Sequence, residues 1–208
     1  MQTPLVLQTF FINNKSIKIF APNPVYLRET HKKKEENVTS LYWAKVWPAA
    51  IGLCIFLQNN LHYIKNKNVL ELAAGPGLPG IFCAAYARQV CISDIEPQAV
   101  EIVRLSAKQH QLENVSCRVI DWNNLQEAPL PEVLLLSDIN YAPSQFEQLL
   151  SVILYILDNQ CTIILSTPQR LLAKSFINQL LLFCKEQTET EIEMEGQKTT
   201  ISVFVLKK

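Results

Sequence analysis

The segment Asn68 to Asp94, NVLELAAGPGLPGIFCAAYARQVCISD, limits what this chain can become more than any other stretch. It opens with a short apolar run, Val69 to Leu72, of a length that suits a buried strand. Three glycines follow in the pattern G-P-G-L-P-G, namely Gly75, Gly77 and Gly80. Ile81 to Arg88 then reads as a helix, and Val90 to Ser93 as a second strand closed by Asp94. Strand, glycine turn, helix, strand and acid together form one βαβ half of a nucleotide-binding sheet. The turn lets a ligand approach the backbone, and the acid can take ribose hydroxyls.

Two prolines separate the candidate ligands. A pyrophosphate needs backbone N–H donors at the helix N-terminus, and Pro76 and Pro79 have none to give. A cofactor without phosphate, such as S-adenosyl-L-methionine, needs close approach but fewer donors. The plainer alternative is a glycine turn that only packs helix on strand. The surrounding pattern favours a nucleoside-like cofactor over a dinucleotide.

The rest of the chain gives that half a sheet to belong to. Residues Leu5–Ile12 and Ser16–Phe20 read as a hairpin around Asn13-Asn14-Lys15. His31 to Glu36 is a charge run and reads as a solvated loop. Pro48 suits the first turn of a helix that ends near Asn59-Asn60. Helices are expected over Pro97–Leu112, Ser144–Leu157 and Gln169–Cys184, and strands over Ser116–Ile120, Val133–Leu136 and Cys161–Ser166. The chain then alternates Thr, Glu and Ile from Gln187 to Met194, turns at Glu195 to Lys198, and ends in an apolar strand, Thr199–Leu206. That is an antiparallel hairpin, its glutamate row a solvated face on an edge strand.

The expected fold is therefore α/β. A Rossmann-like, seven-stranded, mostly parallel sheet carries helices on both faces and an antiparallel C-terminal strand, with an N-terminal β-hairpin appended. Residues 1–37 form the appended hairpin and loop, and residues 38–208 a single domain. The 208 residues are 49% hydrophobic, enough for one sizeable core. A net charge of zero lacks the basic footprint of a nucleic-acid binder. No signal-peptide pattern and no membrane-length apolar run is visible. The six cysteines show no C-x-x-C spacing and mostly sit in apolar runs, and the three histidines are isolated. No metal or disulfide framework is expected, and a reducing, cytoplasmic setting is.

In an open parallel sheet, ligands bind beyond the carboxyl ends of the strands. That rule gathers the Ala73–Gly77 loop, Asp94, Asp121-Trp122 and Ser137–Tyr141 on one rim. Asp94 can accept both ribose hydroxyls, Asp121 the adenine amino group, and Trp122 can cover the adenine face. Stacking of this kind is worth ~1–3 kcal/mol in nucleic-acid systems. Each of these residues alone has a plain explanation as a cap or a core aromatic, but four successive strand ends carry them. Asp138 and Tyr141 lie where an acceptor would meet the cofactor. Methyl transfer asks mainly for a dry pocket and a nucleophile held in line.

These residues resemble the seven-strand methyltransferases related to the protein-lysine group, the methyltransferase-16 superfamily. The resemblance runs from about Trp43 to Leu157. It rests on V-W-x-x-A (Val46, Trp47, Ala50), E-L-G-A-G-x-G (Glu71 to Gly77), the acid Asp94, the Trp after the third strand (Trp122) and D-x-x-Y (Asp138, Tyr141). It implies that Trp47, the glycine-loop motif (Glu71, Ala73, Gly75, Gly77), Asp94, Trp122 and Ser137 line S-adenosyl-L-methionine, to which the strand-end reading adds Asp121. Asp138 and Tyr141 would then serve the acceptor. Ala73 stands where the family motif has its first glycine, which narrows the approach to the methionine moiety.

The function expected is an S-adenosyl-L-methionine-dependent N-methyltransferase acting on a protein side chain, lysine favoured. The V-W-P and G-L-P-G wording is most similar to a branch related to protein-arginine enzymes, which keeps arginine open. A small amine as substrate is the second reading. A non-catalytic module that binds cofactor or partner is the third.

Overall fold

The computed structural model describes residues 4–26, 42–127 and 130–208, with the side chains of residues 126 and 127 undescribed. The charge run His31 to Glu36 and the boundary expected near residue 37 lie outside the described residues. Two strands, β1 (Leu5–Ile12) and β2 (Lys15–Pro22), pair antiparallel in a sheet of their own. Helix α1 (Pro48–Asn59) follows, then β3 (Asn68–Leu72), α2 (Leu78–Cys83), β4 (Gln89–Asp94), α3 (Pro97–Gln109) and β5 (Val115–Val119). After a 3-10 segment at Trp122–Glu127 come β6 (Val133–Ser137), α4 (Phe146–Asp158), β7 (Thr162–Pro168) and α5 (Lys174–Leu180). The last pair is β8 (Cys184–Met194) and β9 (Gln197–Leu206).

The main sheet has seven strands in the order β5-β4-β3-β6-β7-β9-β8. The first five are parallel, and β9 inserts antiparallel between β7 and β8. The order reverses between β3 and β6, which opens a crevice over their carboxyl ends. Strand β6, Val-Leu-Leu-Leu-Ser, reads as an unbroken apolar run because it is covered on both faces. Leu134 and Leu136 face one apolar cluster with α4 and α5, while Val133 and Leu135 face the other with α1, α2 and α3. Each of these four side chains is fully buried, worth roughly 1.5–3 kcal/mol apiece. The N-terminal hairpin closes the cluster of α1, α2 and α3 from outside, placing Ile12 and Ile19 in it at 0% exposure.

Local chemistry explains the turns. Glu195 and Gly196 both take positive φ, 53° and 76°, the pairing a two-residue hairpin turn requires. Pro48 and Pro97 sit in the first turns of α1 and α3, where no N–H is missed.

Expected helices differ in extent from what the sequence suggested: Pro97–Leu112 stops at Gln109, and two others depart further. The segment Ile81–Arg88 is helical only as far as Cys83, and the helix begins earlier than expected, at Leu78. Its closing turn is held from the residue before β5: the Asn114 side-chain amide donates to the carbonyls of Ala84 and Ala87. The expected helix Gln169–Cys184 is broken into a 3-10 turn at Leu171–Ala173, α5, and a second 3-10 turn at Leu181–Phe183. The buried stripe Ala173, Phe176 and Leu180 supports only the middle of that span. Leu171 and Leu182 stand 90% and 83% exposed, so nothing packs to extend the helix at either end. Cys184 already belongs to β8.

Candidate active site

A cavity of about 620 Å³ opens above the carboxyl ends of the parallel strands, a size usual for a site that takes a small molecule. Nine of the eleven predicted site residues line it: Trp47, Ala73, Gly75, Asp94, Asp121, Trp122, Ser137, Asp138 and Tyr141. Glu71 and Gly77 do not. Glu71 is fully buried behind the glycine loop, where its Oε2 accepts from the Gly80 N–H at 2.8 Å. Gly77 serves packing: a Cβ there would stand 2.8 Å from the Val103 side chain. The strand-end rule, which put Gly77 on the rim, identified the loop correctly but not which of its atoms face the crevice, and the family motif that added Glu71 did not show that its side chain turns inward.

The loop leaving β3 forms the cavity floor. Gly75 has φ +53°, and an added Cβ would meet the Trp43 carbonyl oxygen at 2.8 Å. Its N–H donates to Asp94 Oδ2 at 2.8 Å, while Asp94 Oδ1 accepts from the Glu96 N–H at 2.9 Å. A carboxylate offers about four acceptor positions, so Asp94 braces the loop and keeps capacity for ligand hydroxyls. Burial pushes its carboxyl up from the ordinary range, and the backbone amides of Glu96 and Gly75 oppose that rise. Ala73 also has positive φ, +50°. The motif glycine is replaced at a position whose backbone is left-handed, where an alanine costs about 1 kcal/mol or more.

The third strand end contributes Asp121 and Trp122. Asp121 Oδ1 accepts from the backbone and side-chain N–H groups of Asn123, at 2.9 and 2.8 Å, which starts the 3-10 segment. Trp122 is half-buried in the cavity wall, its ring packed against the apolar cluster below.

The opposite wall is made of side chains from distant segments. Trp47 caps α1 and donates its indole N–H to the Tyr42 carbonyl at 2.9 Å. The Tyr42 ring lies 5.9 Å from Trp47 and 5.1 Å from Tyr141, tilted to both. Burial pushes the Tyr141 phenol up, and the Asp94, Tyr42 and Asp138 side chains add to the effect. Tyr141 therefore stays a hydroxyl donor at neutral pH. Asp138 is 7% exposed, holds a left-handed backbone (φ +56°), and donates its N–H to the Ser166 carbonyl at 2.9 Å. Its Oδ1 accepts from the Arg170 guanidinium.

Arg170, Tyr42, Lys45 and Glu96 line the cavity and were not singled out from the sequence. Arg170 carried a readable signal. It stands two residues past the S-T-P end of β7, on the same rim as the other strand ends, but a helix assigned from Gln169 hid it.

The sequence profile of the lysine methyltransferase family matches residues 29–183, most of the chain. This chain belongs to that family. Within it, the chain is 35% identical over 132 residues to protein N-lysine methyltransferase METTL21A of Xenopus tropicalis, covering 61% of each protein. It is 32% identical over 129 residues to histone-arginine methyltransferase METTL23 of Xenopus laevis, covering 59% of this chain and 55% of that one. The matches span about three fifths of these relatives' lengths. Among solved structures, the N-methyltransferase NodS of Bradyrhizobium japonicum in complex with S-adenosyl-L-homocysteine has the same fold. Its TM-score is 0.63 at 12% identity, over 86% of this chain and 98% of that one.

Proposed function

We propose that this chain is an S-adenosyl-L-methionine-dependent N-methyltransferase whose acceptor is a protein side chain, a lysine amine. The observation that carries this reading is the cavity itself. A glycine floor too tight for a Cβ, braced by a buried acid, meets an aromatic-lined wall that holds a second buried acid.

The residues present fit the cofactor. The Gly75 floor permits close approach, Asp94 has acceptor capacity left for hydroxyls, and Trp122 offers a ring face beside Asp121. The bound cofactor supplies a methyl group on a positively charged sulfur. The chain's own part is to exclude water and to hold the acceptor nitrogen in line. An arriving ammonium gives one proton to water. With the cofactor held by the Gly75 loop, Asp94 and Trp122, the freed lone pair would take the methyl carbon and the C–S electron pair would stay with sulfur. Asp138 Oδ2 and the Tyr141 hydroxyl orient that nitrogen.

Support for the lysine acceptor comes from the family profile and from the METTL21A relative, while METTL23 keeps an arginine acceptor as the second reading. A cytoplasmic setting belongs to the same proposal. Cys54 and Cys83 are fully buried with thiols pushed well up by burial, so they act as inert apolar side chains.

The test is transfer of labelled methyl from S-adenosyl-L-methionine into a lysate, with wild type beside Asp138→Ala. A discrete labelled protein band that the variant loses is the expected result, and mass spectrometry of it reads the acceptor residue. Label confined to small molecules would replace the protein acceptor with a small amine. Absence of cofactor binding by calorimetry would end the enzyme reading.

A further inference from the structure

The acceptor-side acid is already engaged by a cation of the chain itself. Asp138, at 6% side-chain exposure, is paired through Oδ1 with the guanidinium of Arg170, whose side chain is 32% exposed. Both residues line the cavity. They come from different strands: Asp138 follows β6 and Arg170 follows β7, its neighbour in the sheet. Asp138 is fixed from the backbone side as well, by its bond to Ser166 and its left-handed φ.

The consequence for an incoming side chain depends on how that side chain carries its charge. A guanidinium is recognised best by a carboxylate with both oxygens free, through two parallel N–H···O bonds, and it keeps its charge at any ordinary pH. At Asp138 one oxygen already accepts from the Arg170 guanidinium, which obstructs a parallel two-oxygen fork, and a second permanent cation would stand beside the first. The other buried acid of the wall, Asp94, already accepts a backbone N–H at each oxygen, and the acceptor positions it has left are those assigned to the cofactor's hydroxyls. The half-buried Glu96 follows β4, two strands away from β6 across β3. An amine, in contrast, can shed its proton. A neighbouring cation favours the neutral form of an amine, which is the form with a lone pair to methylate.

We propose that Arg170 is the specificity-determining residue of the acceptor site: it occupies the place of a substrate guanidinium on Asp138 and so selects a lysine-type amine over arginine. The inference rests on the methyltransferase reading above and deepens it. Arg170 acts through Asp138 and through its charge, as a positioning residue that need not touch the methyl group.

The probes are S-adenosyl-L-homocysteine and two adenosine-based bisubstrate analogues. In each analogue an alkyl arm extends from the sulfur position, ending in an amine in one and a guanidine in the other. Calorimetry on the wild-type chain is expected to give at least ten-fold tighter binding of the amine analogue. Arg170→Gln should bring the two analogues within about three-fold of each other while leaving S-adenosyl-L-homocysteine affinity within about three-fold of wild type. Arg170→Lys keeps the charge without the fork and should retain the preference for the amine. Wild type binding the guanidine analogue as tightly as the amine would overturn the proposal. So would a preference that survives in Arg170→Gln, or analogues that bind no tighter than S-adenosyl-L-homocysteine. Loss of S-adenosyl-L-homocysteine binding in Arg170→Gln would make the guanidinium a prop of the pocket and overturn it too. A wild type that fails to bind S-adenosyl-L-homocysteine would remove the underlying reading, and this inference with it.

Discussion

Over β3 and β4 the cavity wall is backbone pinned from behind, with Asp94 holding Gly75 and Glu71 holding Gly80. Over β6 and β7 it is side chains, and the contacts that hold them join residues far apart in sequence: Asp138 with Arg170, Tyr42 with Tyr141. The first half is assembled from one contiguous stretch and is preorganised by its own hydrogen bonds. The second exists only once the whole sheet is built. A contiguous, backbone-built surface suits a ligand that does not vary, whereas a surface of side chains can be retuned by single substitutions.

The sharpest way to test this division is Asp138→Asn. The amide is isosteric, and Asn tolerates the left-handed backbone that position requires. Methyl transfer should fall at least 100-fold, roughly 3 kcal/mol of transition-state stabilisation. Binding of S-adenosyl-L-homocysteine by calorimetry should stay within about three-fold. Equal losses in both would show that the two halves are one unit.

The backbone-built half predicts a pH effect of its own. Burial raises the Glu71 carboxyl from 4.5 to about 8; its bond from Gly80 opposes the rise and the nearby Asp94 carboxylate adds to it. Between those values the folded chain binds a proton that the unfolded chain has lost. Stability therefore falls as pH rises through that window and levels off above it, by at most about 1.4 kcal/mol per pH unit. Urea unfolding at pH 5.5 and 7.5 should show wild type losing about 2–3 kcal/mol more than Glu71→Gln, since the glutamine does not titrate. Parallel curves for the two proteins would mean that Glu71 is charged in the fold.

Smaller effects come from the loop itself. Gly75→Ala forces a Cβ against the Trp43 carbonyl in a left-handed backbone. It should cost about 2 kcal/mol in urea unfolding and weaken S-adenosyl-L-homocysteine as well. The reverse change two residues earlier should help. Ala73→Gly relieves φ +50° and is expected to stabilise by about 0.5–1 kcal/mol, read as a shift in urea midpoint. A destabilised Ala73→Gly would mean that the alanine methyl packs better than its backbone strain suggests.

The same division governed what could be read in advance. The β3 to β4 unit was legible because its signals are local: an apolar run, three glycines and an acid in order along the chain. The seven strands and the terminal hairpin were legible for a similar reason, since alternation and turn residues are written within a few positions. Arg170 was not, because the leucines around it imitate a helical rhythm while Leu171 and Leu172 in fact stand in the open. Nor does any run of sequence say that Tyr42 meets Tyr141, or that Glu71 turns away from the crevice to bond Gly80. Those facts depend on which strands become neighbours. The Asp138–Tyr141 pair was legible because it follows an unbroken apolar strand, at the rim where the strand-end rule puts a ligand, and the likeness to a family motif agreed with that.

Strand β9 sits inside the sheet although β8, which flanks it, precedes it in the chain. Read from its N-terminus, the chain completes β7 and must then carry a bare edge until the strand after next arrives. The roughly 40 residues between the end of β7 and the end of β9 take about 2–8 s to synthesise at ~5–20 residues per second. For those seconds the backbone of Ile163, Ile164 and Leu165 has no partner on that side, an open invitation to another strand. Premature pairing there would leave Ile201 to Leu206 with nowhere to go, so the moment of greatest danger for this chain falls late in its making.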